Sequence, residues 1–471
     1  MSDHDRPTAR GLFGAMFARG AVEADDTAWL QAMLDTEAGL ARALERAGLA
    51  PAGSGEAVTA TARAANFDVG EIGELAALAG NPVPALARAL ARRVPQAAVS
   101  AVHRGAASQD ILDTAAMLLA RRAISVVLTD LGTAANASVR LAETHRATIM
   151  IGRTLLRHAV PVTFGLVAAG WLAGLDDARQ GLAAIASQRL AVQFGGSAGT
   201  LAPLGNRGPE VAALLAEELG LALPVLPWHT DRLRIIDLGT ALARVTAVLG
   251  KIARDVTVLA QEEVGEVWEA VPAADAVVAG VGPRRAGSAA MPSRHNPVAA
   301  VAILGCSRQV PGLLATLVAA GEQELQRAAG AWQAEWQPLT ALLRLTGSAS
   351  SWAAELLPGL AVNGSRMAAN LAATKGLPLA EHVASLLTGV LGVAQAHDLV
   401  AEASQRAVGA GLPLRDVLLT VPKLEDRLAS AGISAEQIES ALEPAGYLGA
   451  ADAFVTAALE AHRALKSGLD R

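Results

Sequence analysis

Cysteine is nearly absent, since Cys306 is the only one in 471 residues. One thiol excludes an intramolecular disulfide. The nine histidines stand at 4, 103, 145, 158, 229, 295, 382, 397 and 462, none paired at HxH or HxxxH spacing. A protein-built zinc site is therefore not expected. Aromatic residues are 3% and charged residues 18% of the chain. Few aromatics beside abundant alanine disfavour sheets and favour closely packed helices. The formal charge of −6 supplies no basic field for a polyanion, so nucleic acid is not an expected partner. No run reaches the roughly 18 uninterrupted apolar residues of a membrane span, so a membrane is not expected either. Residues 1–10 (MSDHDRPTAR) lack the apolar stretch of a signal peptide, and the lone cysteine fits a reducing compartment. The expected location is cytoplasmic. There is no GxSxG, no Walker motif and no strand-linked GxGxxG, and no cofactor is expected.

What the chain does have is apolar helix. Hydrophobic residues are 52% and mean hydropathy is +0.35. Such an excess fits helices buried on several sides, as in an oligomer core. Ile235, Leu238, Leu242, Val245, Leu249, Ile252, Val256 and Leu259 follow an unbroken 3-4-3-4-3-4-3 spacing. Between Arg232 and Glu266 this predicts a helix of roughly 30 residues, about 45 Å long, with a continuous apolar seam. Ser108 to Glu143 lacks proline and predicts a second long helix. Pro297 to about Ala329 predicts a third, kinked at Pro311. Pro338 to Thr374 predicts more helix, interrupted near Gly347 and Pro358. Shorter helices are expected at Asp26–Ala47, Gly55–Ala65 and Glu71–Leu78. No segment shows convincing strand alternation. The expected fold is all-α, with helical domains at 1–104, 105–355 and 356–471, the middle one a long-helix bundle.

Five segments carry candidate chemistry. Gly287 to Pro297 places Ser288, Arg294 and Asn296 on a glycine-rich loop running into a helix start. Asn296 is a favourable N-cap there and Pro297 suits the first turn. A positive helix terminus beside a cation suits a carboxylate. His103 to Ala115 enters the long 108–143 helix, with Ser108 a candidate N-cap. Gly152 to Gly165 contains Thr154 and His158. Gln193 to Leu201 is glycine-rich, but with no following Lys-Ser/Thr and no preceding strand it fails as a phosphate loop. Its glycines suit close backbone approach. Pro227 to Arg232 precedes the seam helix, with Thr230 or Asp231 as its cap.

Four of these segments resemble, in turn, the GSSxMPxKxNP, HxGxTSxDxxDTA, GRTxxQxAxPxTFG and WHTxRD elements of the fumarase/aspartase/argininosuccinate lyase superfamily. Within it, several pieces are most similar to a cycloisomerase branch that closes a lactone on a small tricarboxylate. They include Ala79-Gly80-Asn81-Pro82, Ser108-Gln109-Asp110 and Arg308-Gln309-Val310-Pro311-Gly312.

The resemblance implies a homotetramer whose long helices form the central bundle, with each active site shared between chains. It implies Ser288 as the group that exchanges the proton alpha to a carboxylate. It places His103, Ser108, Gln109, Thr154, Arg294 and Asn296 around the substrate. The intermediate implied is an aci-carboxylate, which needs preorganised donors. Leu155 stands where fumarases and adenylosuccinate lyases carry a proton-transferring histidine. His158 is the nearest imidazole and the second catalytic candidate. Ala107 and Ala289 replace hydroxyl residues. Arg294 replaces a lysine, turning a point donor into a planar fork that suits a carboxylate clamp. The alternatives are an adenylosuccinate- or argininosuccinate-type lyase, disfavoured by Phe67 and Leu155, and a catalytically silent structural homologue.

Overall fold

The computed structural model describes residues 11–270 and 296–469. These are mainly helical, with two small antiparallel sheets. The four longest helices are Ser108–Thr144, Phe164–Gln188, Leu233–Leu259 and Ala331–Leu356. All eight residues of the apolar seam are buried, from Ile235 at 1% exposed to Leu259 at 6%.

The chain resolves into two compact units. One comprises residues up to Thr133 with Asp177–Ala253 and Ala299–Glu355; the other comprises Ala134–Asp176, Arg254–Val298 and Leu356–Arg471. The first is organised around a buried ionic knot. Arg232 donates to Asp113 (Nη1 to Oδ2, 2.7 Å) and to Glu335 (Nη2 to Oε2, 2.6 Å). Trp332 Nε1 adds a bond to Asp113 at 3.0 Å, and Gln323 one to Glu335 at 2.9 Å. Burial raises the Glu335 pKa, against the pull of the guanidinium. Two buried carboxylates share one cation, so the knot tolerates loss of no member cheaply.

The second unit holds the sheets. Strands β1 (Ile149–Thr154) and β2 (Arg157–Thr163) form a hairpin, and β3 (Val267–Glu269) pairs with β4 (Leu360–Val362). Trp171 is fully buried and donates its indole N–H to Asp255 at 2.7 Å. His462 on the last helix meets buried Asp176 at 2.8 Å. Helices beyond 380 close over their own apolar cluster, including Val383, Leu387, Leu399, Leu418 and Ile438.

Three expectations change. The segment after Pro297 forms two ten-residue helices, Val298–Ser307 and Val310–Ala319, and residues 320–330 are irregular rather than helical. The 298–319 stretch is apolar and long enough to count as a membrane span by composition. Each half rises only about 15 Å, short of the roughly 30 Å hydrocarbon layer. Gly347 does not interrupt its helix: a side chain there would meet Val22 at 2.5 Å, so the glycine admits that valine. Finally, the Gly152–Gly165 motif lies on a hairpin, which the broken alternation concealed.

Candidate active site

Ser108 is the first residue of its helix rather than the residue before it. The cap is supplied from Asp110, whose Oδ2 accepts from the Ala107 N–H at 2.8 Å. That carboxylate also accepts from Gly195 N (3.0 Å), Gly196 N (2.8 Å) and His229 Nε2 (2.7 Å). One buried side chain thus fixes the helix start, the glycine loop and the segment before the seam helix. The loop can approach only because Gly195 has no side chain; a Cβ would stand 2.7 Å from Pro227.

Next to this start, His103 takes a left-handed backbone, φ 56°. Its N–H donates to Glu37 Oε2 at 2.9 Å and its ring Nδ1 meets Glu37 Oε1 at 2.7 Å. Glu37 is completely buried. Burial alone would lower the imidazole pKa, but the Glu37 hydrogen bond and charge, helped by Asp110, leave it raised. The Ser108 side chain is half-buried and has no hydrogen-bond partner among the described residues. It is thus available to a ligand at a positive helix end.

Gln109 is differently placed. Its amide donates to Asp113 Oδ2 (3.1 Å) and to the His229 carbonyl (2.8 Å), which uses both N–H bonds. Its oxygen accepts from Arg327 Nη1 at 3.0 Å. No donor is left for a carboxylate in this arrangement. Arg327 also bonds the Gly196 and Ser197 carbonyls, each at 3.1 Å. This places a half-buried guanidinium at the same helix start. The sequence hid Arg327 because residues up to about 329 read as helix.

Thr154 and His158 lie in the other unit, on the hairpin, and both are exposed. Register pairs His158 with Arg153. The hairpin is anchored beside its turn by Arg153, which donates to Glu266 through both terminal nitrogens (2.9 and 2.8 Å). Glu266 is fully buried and accepts a further bond from Asn370 at 2.7 Å. The tip is Leu155-Leu156, with φ of 50° and 61° and exposures of 97% and 72%. His158 lines a groove with Arg157, Lys375 and Leu412.

Asn296 is half-buried just before the Val298–Ser307 helix. Ser288 and Arg294 lie outside the described residues. Among the described residues no cluster of three metal-ligating side chains occurs. The Cys306 thiol is buried, its pKa pushed up to about 11, which makes it a poor nucleophile.

Comparison with known proteins gives this geometry its context. A lyase family model matches residues 18–312, and a model of the adenylosuccinate lyase C-terminus matches 376–458. The chain is 42% identical over 454 residues to the 3-carboxy-cis,cis-muconate cycloisomerase of Bradyrhizobium diazoefficiens, covering 95% of this chain and 97% of that one. It is 45% identical over 462 residues to the nitrosuccinate lyase of Streptomyces davaonensis, covering 95% and 94%. The crystal structure of the 3-carboxy-cis,cis-muconate lactonizing enzyme from Pseudomonas putida superposes with a TM-score of 0.86 at 39% identity, covering 97% of this chain and 99% of that one. The chain belongs to the fumarase/aspartase superfamily of lyases, in a part of it that includes 3-carboxy-cis,cis-muconate cycloisomerases.

Proposed function

We propose that this protein is a 3-carboxy-cis,cis-muconate cycloisomerase, interconverting that tricarboxylate and 4-carboxymuconolactone in protocatechuate breakdown. The observation that carries the reading is 42% identity running through 95% of the chain. Leucine at 155 argues against the fumarase and adenylosuccinate lyase readings, whose proton-transferring histidine it replaces. In the forward reaction one substrate carboxylate oxygen forms a C–O bond to one carbon of a C=C bond, whose π pair shifts to the neighbouring carbon. A proton is added to the carbon alpha to another carboxylate. The charge that develops spreads over that carboxylate and requires donors already in place. We assign the proton transfer to Ser288, with His158 as the second candidate. His103, Ser108, Thr154, Arg294 and Asn296 are assigned to the substrate carboxylates, and Gln109 to holding Arg327 beside them.

A second reading rests on the 45% identity to a nitrosuccinate lyase. Both reactions involve a proton alpha to a carboxylate and a leaving group one carbon away. Purified protein is therefore to be assayed with both compounds. Loss of the muconate ultraviolet absorbance is expected. Fumarate from nitrosuccinate without any muconate decay would overturn the first reading in favour of the second. Silence with both would favour a structural homologue. Ser288→Ala is expected to lower kcat by about 10²–10⁴-fold.

We further propose a cytoplasmic homotetramer whose active sites are shared between chains and whose middle segment, 105–355, supplies the bundle. Supporting this, only 33% of an 18-residue apolar run within 298–319 is buried within one chain, and Leu155 and Leu156 are exposed. Burying such a leucine is worth about 1.5–3 kcal/mol, which a partner chain can supply. The division at 355 is supported by the helix ending at Leu356 and the separate family match from 376.

A further inference from the structure

Among the described residues, Glu37 is the completely buried carboxylate whose two oxygens both serve a single candidate substrate-binding residue. It comes from the middle of the Asp26–Arg46 helix, 66 residues before His103. Its contacts fix two things at once. The bond from the His103 N–H holds a left-handed backbone that a non-glycine residue adopts at a cost. The bond at Nδ1 decides the tautomer, so that ring nitrogen carries hydrogen in either charge state. Nε2 is left without a partner among the described residues, on a side chain that is 25% exposed. When the ring is protonated, Nε2 is an N–H donor on a cation; when neutral, it is an acceptor that repels a carboxylate. The charged groups facing the ring are Glu37 and, from the neighbouring helix, Asp110, and both favour the cation.

We propose that Glu37 is a positioning residue for substrate binding, holding His103 as an imidazolium whose Nε2–H receives a substrate carboxylate. The inference rests on the reading that this site takes a polycarboxylate. Glu37 itself touches no substrate and acts through His103. Loss of its charge therefore weakens binding more than turnover, and in a pH-dependent way.

The probe is citrate, a tricarboxylate, titrated calorimetrically into the purified full-length protein at a series of pH values rising from about 6.5. Wild-type affinity is expected to fall as pH rises through the His103 transition. Glu37→Gln keeps the shape of the side chain but removes its charge. It is expected to weaken citrate at the low end of the range about tenfold and to move the midpoint to lower pH. With the muconate substrate it should raise KM about tenfold and leave kcat within about threefold. His103→Gln serves if Glu37→Gln does not fold, and is expected to abolish the pH dependence. An unchanged midpoint in Glu37→Gln, or the same pH dependence in His103→Gln, overturns the proposal. Muconate turnover with either of those results leaves the cycloisomerase reading standing. A Glu37-dependent citrate transition without turnover overturns that reading and sustains this one.

Discussion

Two groups of candidate residues are held in opposite ways. Around the start of the Ser108–Thr144 helix the side chains of Glu37, Gln109 and Asp110 are buried and each is used more than once. Asp110 accepts four hydrogen bonds, Gln109 makes three and Glu37 spends both oxygens on one residue. At the β1–β2 hairpin the side-chain anchor is one ion pair, Arg153 with buried Glu266, set beside the turn. Its tip is two exposed leucines in the left-handed region, where L-residues pay about 1–2 kcal/mol each. The first region is a preformed set of donors, suited to recognising charge without reorganisation. The second presents two apolar side chains to solvent, and its geometry makes sense where something else covers the tip.

The contrast is breakable. The largest effect is expected from Arg232→Leu, which strands buried Asp113 and Glu335 beneath the first region. It should lose about 3–5 kcal/mol in urea unfolding. A loss under about 1 kcal/mol would mean that the knot is not what holds this region. Glu266→Gln tests the hairpin anchor. Because Arg153 keeps some solvent, a loss of about 3 kcal/mol or less is expected, together with reduced kcat. If kcat is untouched, the anchored orientation of Thr154 is irrelevant to the reaction.

Ser108→Ala should separate binding from stability. The hydroxyl has no partner among the described residues, so the melting temperature should hold while KM rises about tenfold, roughly 1.4 kcal/mol. A lowered melting temperature with unchanged KM would make Ser108 structural. At the tip, the double substitution Leu155→Asn with Leu156→Gly suits the left-handed turn and should relieve about 1 kcal/mol of strain. If the leucines are buried by a partner chain, light scattering should show a weaker oligomer despite that relief. An unaltered mass and turnover would show that the tip is free.

The smallest effect concerns pH. His103 holds its proton more tightly folded than unfolded. Its contribution to stability is therefore full below about pH 6.5 and fades as pH rises through the folded-state value. Melting curves of wild type and Glu37→Gln should converge as pH rises through that window.

Local pattern made much of this legible. The 3-4 spacing from Ile235 to Leu259 locates a buried helix because only a helix brings those positions onto one face. The proline-free run from Ser108 likewise becomes a single helix of 37 residues. The hairpin was not legible, since Ile149, Met150 and Ile151 are apolar in succession and Pro161 sits within β2. Residues 320–330 looked helical because apolar spacing continues past the point where the backbone turns away. Among the candidate residues, His103, Ser108, Gln109 and Thr154 stand out through motif resemblance. Glu37 and Arg327 do not, because they arrive from 66 and 218 residues away and carry no local signature.

The sequence by itself determined the helical class, the long buried seam and the polar residues clustered at helix starts. Periodicity and capping are local properties, and nearest neighbours along the chain settle them. Tertiary structure alone decided that Gln109 has no donor to spare, that His103 leans on a buried carboxylate, and that Arg327 joins the same helix start. Those outcomes depend on which distant groups compete for each hydrogen bond, and a buried donor or acceptor takes whatever partner folding brings within about 3 Å.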